Sequence, residues 1–245
     1  MLKKFNKYPA KWLNSIYPWH CSICGGSTSN KSICQLCIRL LPLWNKEPSC
    51  EVCGLQIEND TDHTLICGQC QKQPPYYDCL SAVYWYEPPI NDIITQYKYL
   101  NYWENAQTLI ELCKNSFIAS HKDSLIIPVP SHPSRVRQRG FNAVYELVQL
   151  FKRQHNFYYD DKLVSRCKNT ETQTGKTKAQ RKRNLRNAFT VNHLIEHDYI
   201  TIIDEVVTTG ATVNELSRCL KNAGVKKVSV WALARTRNKR YIGAQ

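Results

Sequence analysis

No run of residues in this 245-residue chain is apolar and long enough to cross a bilayer, and the opening Met1-Leu2-Lys3-Lys4-Phe5-Asn6-Lys7-Tyr8-Pro9 lacks the apolar core of a secretion signal. These two absences lead us to expect a cytoplasmic protein, in a compartment where thiols stay reduced. Aliphatic side chains are scarce over roughly the first seventy residues, so that stretch cannot bury enough surface to fold unaided. Acidic residues are scarce between 131 and 186, with four Asp/Glu against fourteen Lys/Arg, and that block supplies most of the net charge of +13. No residue marks a purine, pyrimidine or ammonia pocket, and no catalytic glutaminase cysteine is evident.

Cysteine is what the N-terminal region has instead of a core. Eight of the twelve cysteines form four CxxC pairs, Cys21/Cys24, Cys34/Cys37, Cys50/Cys53 and Cys67/Cys70. Two intervening residues let both sulfurs reach one tetrahedral Zn²⁺ at about 2.3 Å, and two pairs close a structural site. Segments Cys21 to Pro42 and Cys50 to Pro74 share Cys-x-x-Cys-Gly, a polar connector, Ile-Cys-x-x-Cys and a proline. This duplication favours sequential pairing, 21/24/34/37 and 50/53/67/70, over a crossed one. Disulfides would need an oxidising compartment, and a redox CxxC needs a βαβ context that is absent here. Two structural zinc ions would provide the stability that the side chains lack. Cys79, Cys113, Cys167 and Cys219 stand singly and read as core filler.

A polar, proline-containing linker, Gln71 to Asp78, separates a zinc-ribbon region, 1–75, from an α/β region, 76–245. In the second region Cys79 to Tyr86 alternates like a strand, and Asn91 to Lys98 and Trp103 to Phe117 have helical spacing. Ser124 to Pro130 reads as a short strand, followed by a basic loop through Arg135, Arg137, Arg139 and Gly140 and by a helix from Ala143 to about Gln154 that Asn142 can cap. A strand from Lys162 to Arg166 leads into the polar run from Lys168 to Asn184, which reads as a lid.

The stretch with most chemical content is Ile202-Ile203-Asp204-Glu205-Val206-Val207-Thr208-Thr209-Gly210-Ala211-Thr212. Tyr199 to Ile203 is an apolar run of the kind a central parallel strand shows, and Val213 to Ala223 is helical. The turn between them lies at a strand's C-terminal end, where open α/β sheets bind ligands and where unpaired helix amides favour phosphate. Thr208, Thr209 and Thr212 add hydroxyls, and the adjacent carboxylates Asp204 and Glu205 suit a vicinal diol. The turn has neither the Gly-x-Gly-x-x-Gly of a dinucleotide site nor the Gly-Lys-Ser/Thr of a Walker loop.

Strand, acidic pair and Thr-Thr-Gly-x-Thr resemble the phosphoribosyl pyrophosphate (PRPP) fingerprint of type I phosphoribosyltransferases. The resemblance implies that Asp204 and Glu205 hold the ribose hydroxyls and that Thr208, Thr209, Gly210, Ala211 and Thr212 hold the 5′-phosphate. Over nearly the whole chain the pattern resembles the ComF family, in Pro128-Val129-Pro130, Arg139-Gly140-Phe141-Asn142, Arg166, Thr170 with Gln173, Arg183, Asn184 or Asn187, and the PRPP fingerprint. Glu205 stands where that family usually has Asp, and the lid Gln lacks its usual proline. Eight zinc-ligand cysteines in place of four are expected of the larger members.

The fold implied is a Rossmann-like type I phosphoribosyltransferase domain with a parallel sheet, behind a double zinc ribbon. Its substrate would be Mg²⁺-PRPP, with the diphosphate near Arg135, Arg139 and lid cations. Lys98, in Tyr97-Lys98-Tyr99, reads equally as a phosphate contact or as an ordinary helix-end charge. The rival expectation is a non-catalytic competence factor that binds nucleotide or single-stranded DNA through residues 131–186. In that case the ribbons would dock a competence helicase or a recombination mediator. Residues Phe5 to Trp19 read as a short amphipathic helix packed on the ribbon.

Overall fold

The computed structural model describes residues 19–28, 32–57, 65–100, 103–120, 123–168 and 185–237. Nearly all of the Phe5-to-Trp19 helix expectation and residues 169–184 of the expected lid lie outside them. The chain divides into two compact units, Met1–Leu41 and Pro42–Gln245.

In the first unit, β1 (Trp19–His20) and β2 (Ser27–Thr28) pair antiparallel around the Cys21/Cys24 turn, and helix α1 (Gln35–Arg39) carries Cys37. The first thiol pair thus sits on a hairpin and the second at a helix start, where Cys34 is the cap residue.

The second unit opens with the other cysteine segment, which includes a 3₁₀ turn at Trp44–Lys46 and helix α2 (Gly68–Lys72). It continues with β3 (Cys79–Trp85), α3 (Ile90–Leu100), α4 (Trp103–Ser120), β4 (Leu125–Pro128), α5 (Pro133–Arg139) and α6 (Ala143–Gln154). The remaining elements are β5 (Val164–Arg166), β6 (Phe189–Val191), β7 (Tyr199–Val207), α7 (Ala211–Asn222) and β8 (Lys227–Arg235). Strands β3, β8, β7 and β4, in that order, form a parallel sheet, and a further parallel bridge joins Ile126 of β4 to Tyr159. Strands β5 and β6 make a separate antiparallel pair. From β4 the chain goes first to the Tyr159 side and later to the β7 side. The carboxyl ends of β4 and β7 therefore flank the topological switch point, where ligands of such sheets bind.

Sequence pattern explains most of these elements. Ala143, Val144, Leu147, Val148, Leu150 and Phe151 recur at helical spacing and are the buried face of α6, whose first turn is capped by Asn142 through the Tyr145 amide at 3.4 Å. Between the helices and the sheet, Phe117 stacks on Phe151 with ring centres 4.3 Å apart, and both meet Trp231 of β8 edge-on.

Three elements differ from the sequence expectation. Strand β7 continues through the acidic pair to Val207, because alternate positions beyond Ile203 still bury Glu205 and Val207. The basic stretch after β4 is partly a helix, α5. His132 caps it by accepting from the Ser134 amide, Pro133 opens it with its fixed φ, and Gly140 closes it at φ 83°. Strand β8, for which alternation gives no signal, completes the sheet between β3 and β7. Its run Val228–Ala234 is apolar almost throughout because the strand is covered on both faces.

Candidate functional site

The turn after β7 sits at the switch point. Gly210, at φ 75°, starts α7 without a side-chain cap, and the Ala211 amide reaches the Thr209 hydroxyl at 3.4 Å. A Cβ at Gly210 would lie 3.3 Å from the Tyr77 hydroxyl, so both backbone angle and space call for glycine. A niche of about 20 Å³, lined by Asp204 and Val206 to Val213, opens here. The first amides of a helix lack intrahelical acceptors, and the residues that carry them in α7, Ala211 to Val213, line the niche together with Thr208 and Thr209.

The turn's carbonyls are tied down from the sheet side. Arg235, only 2% exposed, donates through one guanidinium nitrogen to the carbonyls of Val207 and Thr208. Thr236 adds its amide to Val207 and its hydroxyl to Thr208, both at 3.1 Å. Asn214 of α7 accepts from the Tyr76 amide at 2.7 Å, and Tyr77 is buried. The end of the expected linker is therefore fastened to the turn and to α7 through Tyr76 and Tyr77, while Gln71 to Pro74 are exposed.

The two carboxylates have different environments. Glu205 is buried and its Oε1 lies 2.9 Å from Lys98 Nζ. Burial pushes both acids up. At Glu205 the Lys98 ammonium overrides burial and holds the group at about 2, whereas at Asp204 the Glu205 charge adds to burial and keeps the carboxyl well above its usual range. Glu205 thus holds a negative charge, and Asp204, partly exposed, faces the niche. Lys98 is held against Glu205. From sequence it reads equally as a phosphate contact or a helix-end charge, and in the structure its partner is this carboxylate.

Arg139 stacks on the exposed Tyr99 ring at 5.1 Å, while Tyr97 packs edge-on to Phe141 and donates to the Ala143 carbonyl at 2.9 Å. The Tyr97-Lys98-Tyr99 segment thereby joins the acidic pair to the arginine segment. Arg166 is buried at the end of β5, and burial, with the like charge of Arg135, lowers it to about 10 against the opposing pull of Asp204. Asp204, Arg135 and Arg166 are therefore electrostatic neighbours. A cleft of about 230 Å³ beside them is lined by Ser131, Asn142, Tyr145, Asp161 and Arg166, among others. Where the polar run rejoins the fold, Asn187 adopts φ 54° and donates its amide to Glu215 of α7, and Arg218 bonds both residues.

The thiols form two clusters with the sequential pairing, 21/24/34/37 and 50/53/67/70, and within each cluster all sulfurs lie within 4.8 Å of one another. Sulfurs of Cys24 and Cys34 are 3.8 Å apart and those of Cys53 and Cys67 3.7 Å, close to the edge of a tetrahedron with about 2.3 Å metal–sulfur bonds. Amides of Cys34 and Cys67 point to the sulfurs of Cys21 and Cys50 at 3.4 and 3.3 Å. Both clusters fit a structural Zn²⁺, and none of the twelve cysteines is in a disulfide.

Two residues that sequence reasoning does not single out matter here. Arg235 ends the apolar run of β8, and a lone cation there is its only signal. Arg237 pairs with Glu47 and Glu87 and covers Trp85 at 4.4 Å, which fastens the second cysteine segment to the sheet. Among the described residues no helix is long and apolar enough to cross a membrane.

Residues 12–71 match the double zinc ribbon domain model. The chain is 30% identical over 232 residues to competence protein F of Haemophilus influenzae, covering 90% of this chain and 99% of that protein. It is 33% identical to the DNA utilization protein YhgH of Escherichia coli K12 over 83% of this chain and 90% of that one. Competence protein ComFC of Streptococcus pneumoniae is 27% identical over 63% of this chain and 67% of its own length.

Proposed function

The chain belongs to the competence protein F (ComF) family, and from that premise we propose that it serves the uptake and use of incoming DNA and does so through a PRPP site at the turn after β7. The observation that carries this reading is the placement of Asp204 and Thr208 to Thr212 together at the switch point, around one niche at a helix N-terminus.

In this reading the α7 amides and the threonine hydroxyls bind the 5′-phosphate. Asp204 accepts from a ribose hydroxyl once its proton leaves, and Glu205 keeps Lys98 charged beside it. Arg135 and Arg166 face the diphosphate, whose negative charge relieves the crowding of the two guanidiniums. Mg²⁺, when bound with PRPP, would draw negative charge from the leaving diphosphate. If the chain is catalytic, a nucleophile attacks C1 as pyrophosphate departs, and the cleft lined by Asn142, Tyr145, Asp161 and Arg166 has room for a small polar acceptor.

The test is calorimetric titration of Mg²⁺-PRPP into zinc-loaded protein, with Asp204→Asn alongside. Micromolar binding lost in the variant supports the site, and a folded wild type that takes up no PRPP would sink the reading. A second reading, single-stranded DNA binding, is favoured by one feature, the Arg139 guanidinium stacked on exposed Tyr99 at the edge of a basic helix. Strand binding should weaken steeply with salt and survive Asp204→Asn, whereas PRPP binding should not survive it. A competence helicase or recombination mediator docking on the ribbons belongs to this second reading.

A further inference from the structure

Arg235 is the most deeply buried cation in the sheet, and its two ends do different things. Its Nε donates to the Cys53 carbonyl at 3.1 Å, and its Nη1 donates to the Val207 and Thr208 carbonyls. One rigid guanidinium therefore spans from a residue of the second four-cysteine cluster to the turn that starts α7. Cys50, Cys53 and Cys70 lie in the same apolar cluster as Val207 and Val213. Among the described residues no carboxylate pairs with Arg235. Burial of a lone cation is costly unless an anion offsets it. Four thiolates around Zn²⁺ carry a net charge of about −2, and that centre is the anion available in this part of the core.

We infer that Arg235 is a positioning residue that links the second four-cysteine centre to the phosphate turn, so that metal held by Cys50, Cys53, Cys67 and Cys70 keeps the turn in its anion-receiving shape. This rests on the reading of the turn as a sugar-phosphate site. The metal centre fixes the Cys53 carbonyl and supplies the counter-charge. The guanidinium, held by both, pulls the Val207 and Thr208 carbonyls toward the sheet and leaves the amides of α7 for the ligand. Coupling of this kind is reciprocal, so an anion in the turn must in return slow loss of that metal. The first cluster belongs to the other compact unit and serves as an internal control.

The experiment uses the full zinc-loaded chain and has two arms. The first follows zinc release to excess chelator with a chromogenic zinc dye, with the phase belonging to the first site assigned from Cys24→Ser. Saturating Mg²⁺-PRPP should slow release from the second site at least about tenfold and leave the first unchanged. Arg235→Met, which keeps the volume without the donors, should abolish that protection and weaken PRPP binding by a similar factor. Arg235→Lys should restore charge without bridging both ends, and so recover only part of the effect. PRPP binding to wild type with unchanged zinc release, or full protection in Arg235→Met, would overturn the inference.

The second arm needs neither PRPP nor a variant. Amide hydrogen exchange is compared in wild type before and after metal removal. Residues 206–213 should exchange at least about tenfold faster without metal while β4 and α6 stay protected. Unchanged exchange at 206–213, or uniform acceleration over the whole sheet, would also overturn it. A wild type that fails to bind PRPP yet shows this local loosening would defeat the proposed function and leave the coupling standing.

Discussion

The two four-cysteine centres share one cysteine motif and differ in what packs around it. In the first, Cys24 is exposed, and α1 beside it leaves Leu36 and Leu40 71% and 77% exposed. In the second, Cys50, Cys53 and Cys70 are buried and share one apolar cluster with Leu80, Val207 and Val230. The backbone knuckle is common to both, with the amides of Gly25 and Gly54 returning to the carbonyls of Cys21 and Cys50 at 2.8 Å. A duplicated motif thus fixes the metal geometry and leaves the role of each centre to what packs around it. One copy organises a small unit of its own, and the other is part of the sheet's core.

Breaking each centre in turn should show this most strongly. Cys53→Ser should lower the stability of the α/β unit by about 4 kcal/mol while leaving its transition cooperative, because metal binding is folding free energy and this centre is interior. Cys24→Ser should leave that transition nearly in place. Thermal unfolding followed through buried Trp85 and Trp231 distinguishes them.

The acidic pair offers a second contrast. Glu205→Gln should cost about 3 kcal/mol, because it leaves the Lys98 ammonium buried without its partner. Since the folded state holds Glu205 at about 2, the Glu205 contribution is present above the usual carboxylate range and fades as pH falls toward 2, where variant and wild type should converge. Asp204→Asn should do the reverse. The folded state raises that pKa, so stability falls as pH rises from about 4 through the folded value, and the amide removes this cost. We expect a gain on the order of 1 kcal/mol at neutral pH, with PRPP binding weakened at least about a hundredfold. Chemical denaturation across pH, paired with calorimetry, checks both.

The smallest test compares the knuckle glycines. Gly25 and Gly54 have φ of 71° and 65°, so alanine is strained at each by about 1 kcal/mol. A Cβ at Gly25 would meet nothing within 4 Å, whereas at Gly54 it would lie 2.7 Å from Leu80 Cδ2 and 3.3 Å from the Leu80 carbonyl. Gly54→Ala should therefore cost about 2 kcal/mol more than Gly25→Ala in denaturant titrations. Equal costs would place the second centre outside the core.

The same contrast explains what the sequence reveals. Cysteine spacing and the acidic, threonine-rich turn are legible because each concentrates its chemistry within a few neighbouring positions. Helix α6 is legible with its cap because its apolar period is complete. Helix α5 has one aliphatic residue, Val136, and a histidine for its cap, so neither period nor cap announces it. Arg235 stands far from both groups it joins, and no local pattern links it to Cys53. The packing of Tyr77 over Gly210 is hidden for the same reason. Proline and polarity around Tyr77 suggest a linker, and only the folded chain brings its hydroxyl to the turn.

Arg235 and Cys53 are separated by 182 residues, and the strand that carries Arg235 is central in the sheet. On a ribosome, the thiols of the second centre emerge long before β8. The metal can be captured early, but its interior setting is finished only when β8 slides between β3 and β7. Until then β3 has no sheet neighbour among the described strands, and the half-built sheet presents open edges of the kind that invite pairing between chains. Nascent chains of this protein therefore pass through an aggregation-exposed interval that closes only once β8 has emerged.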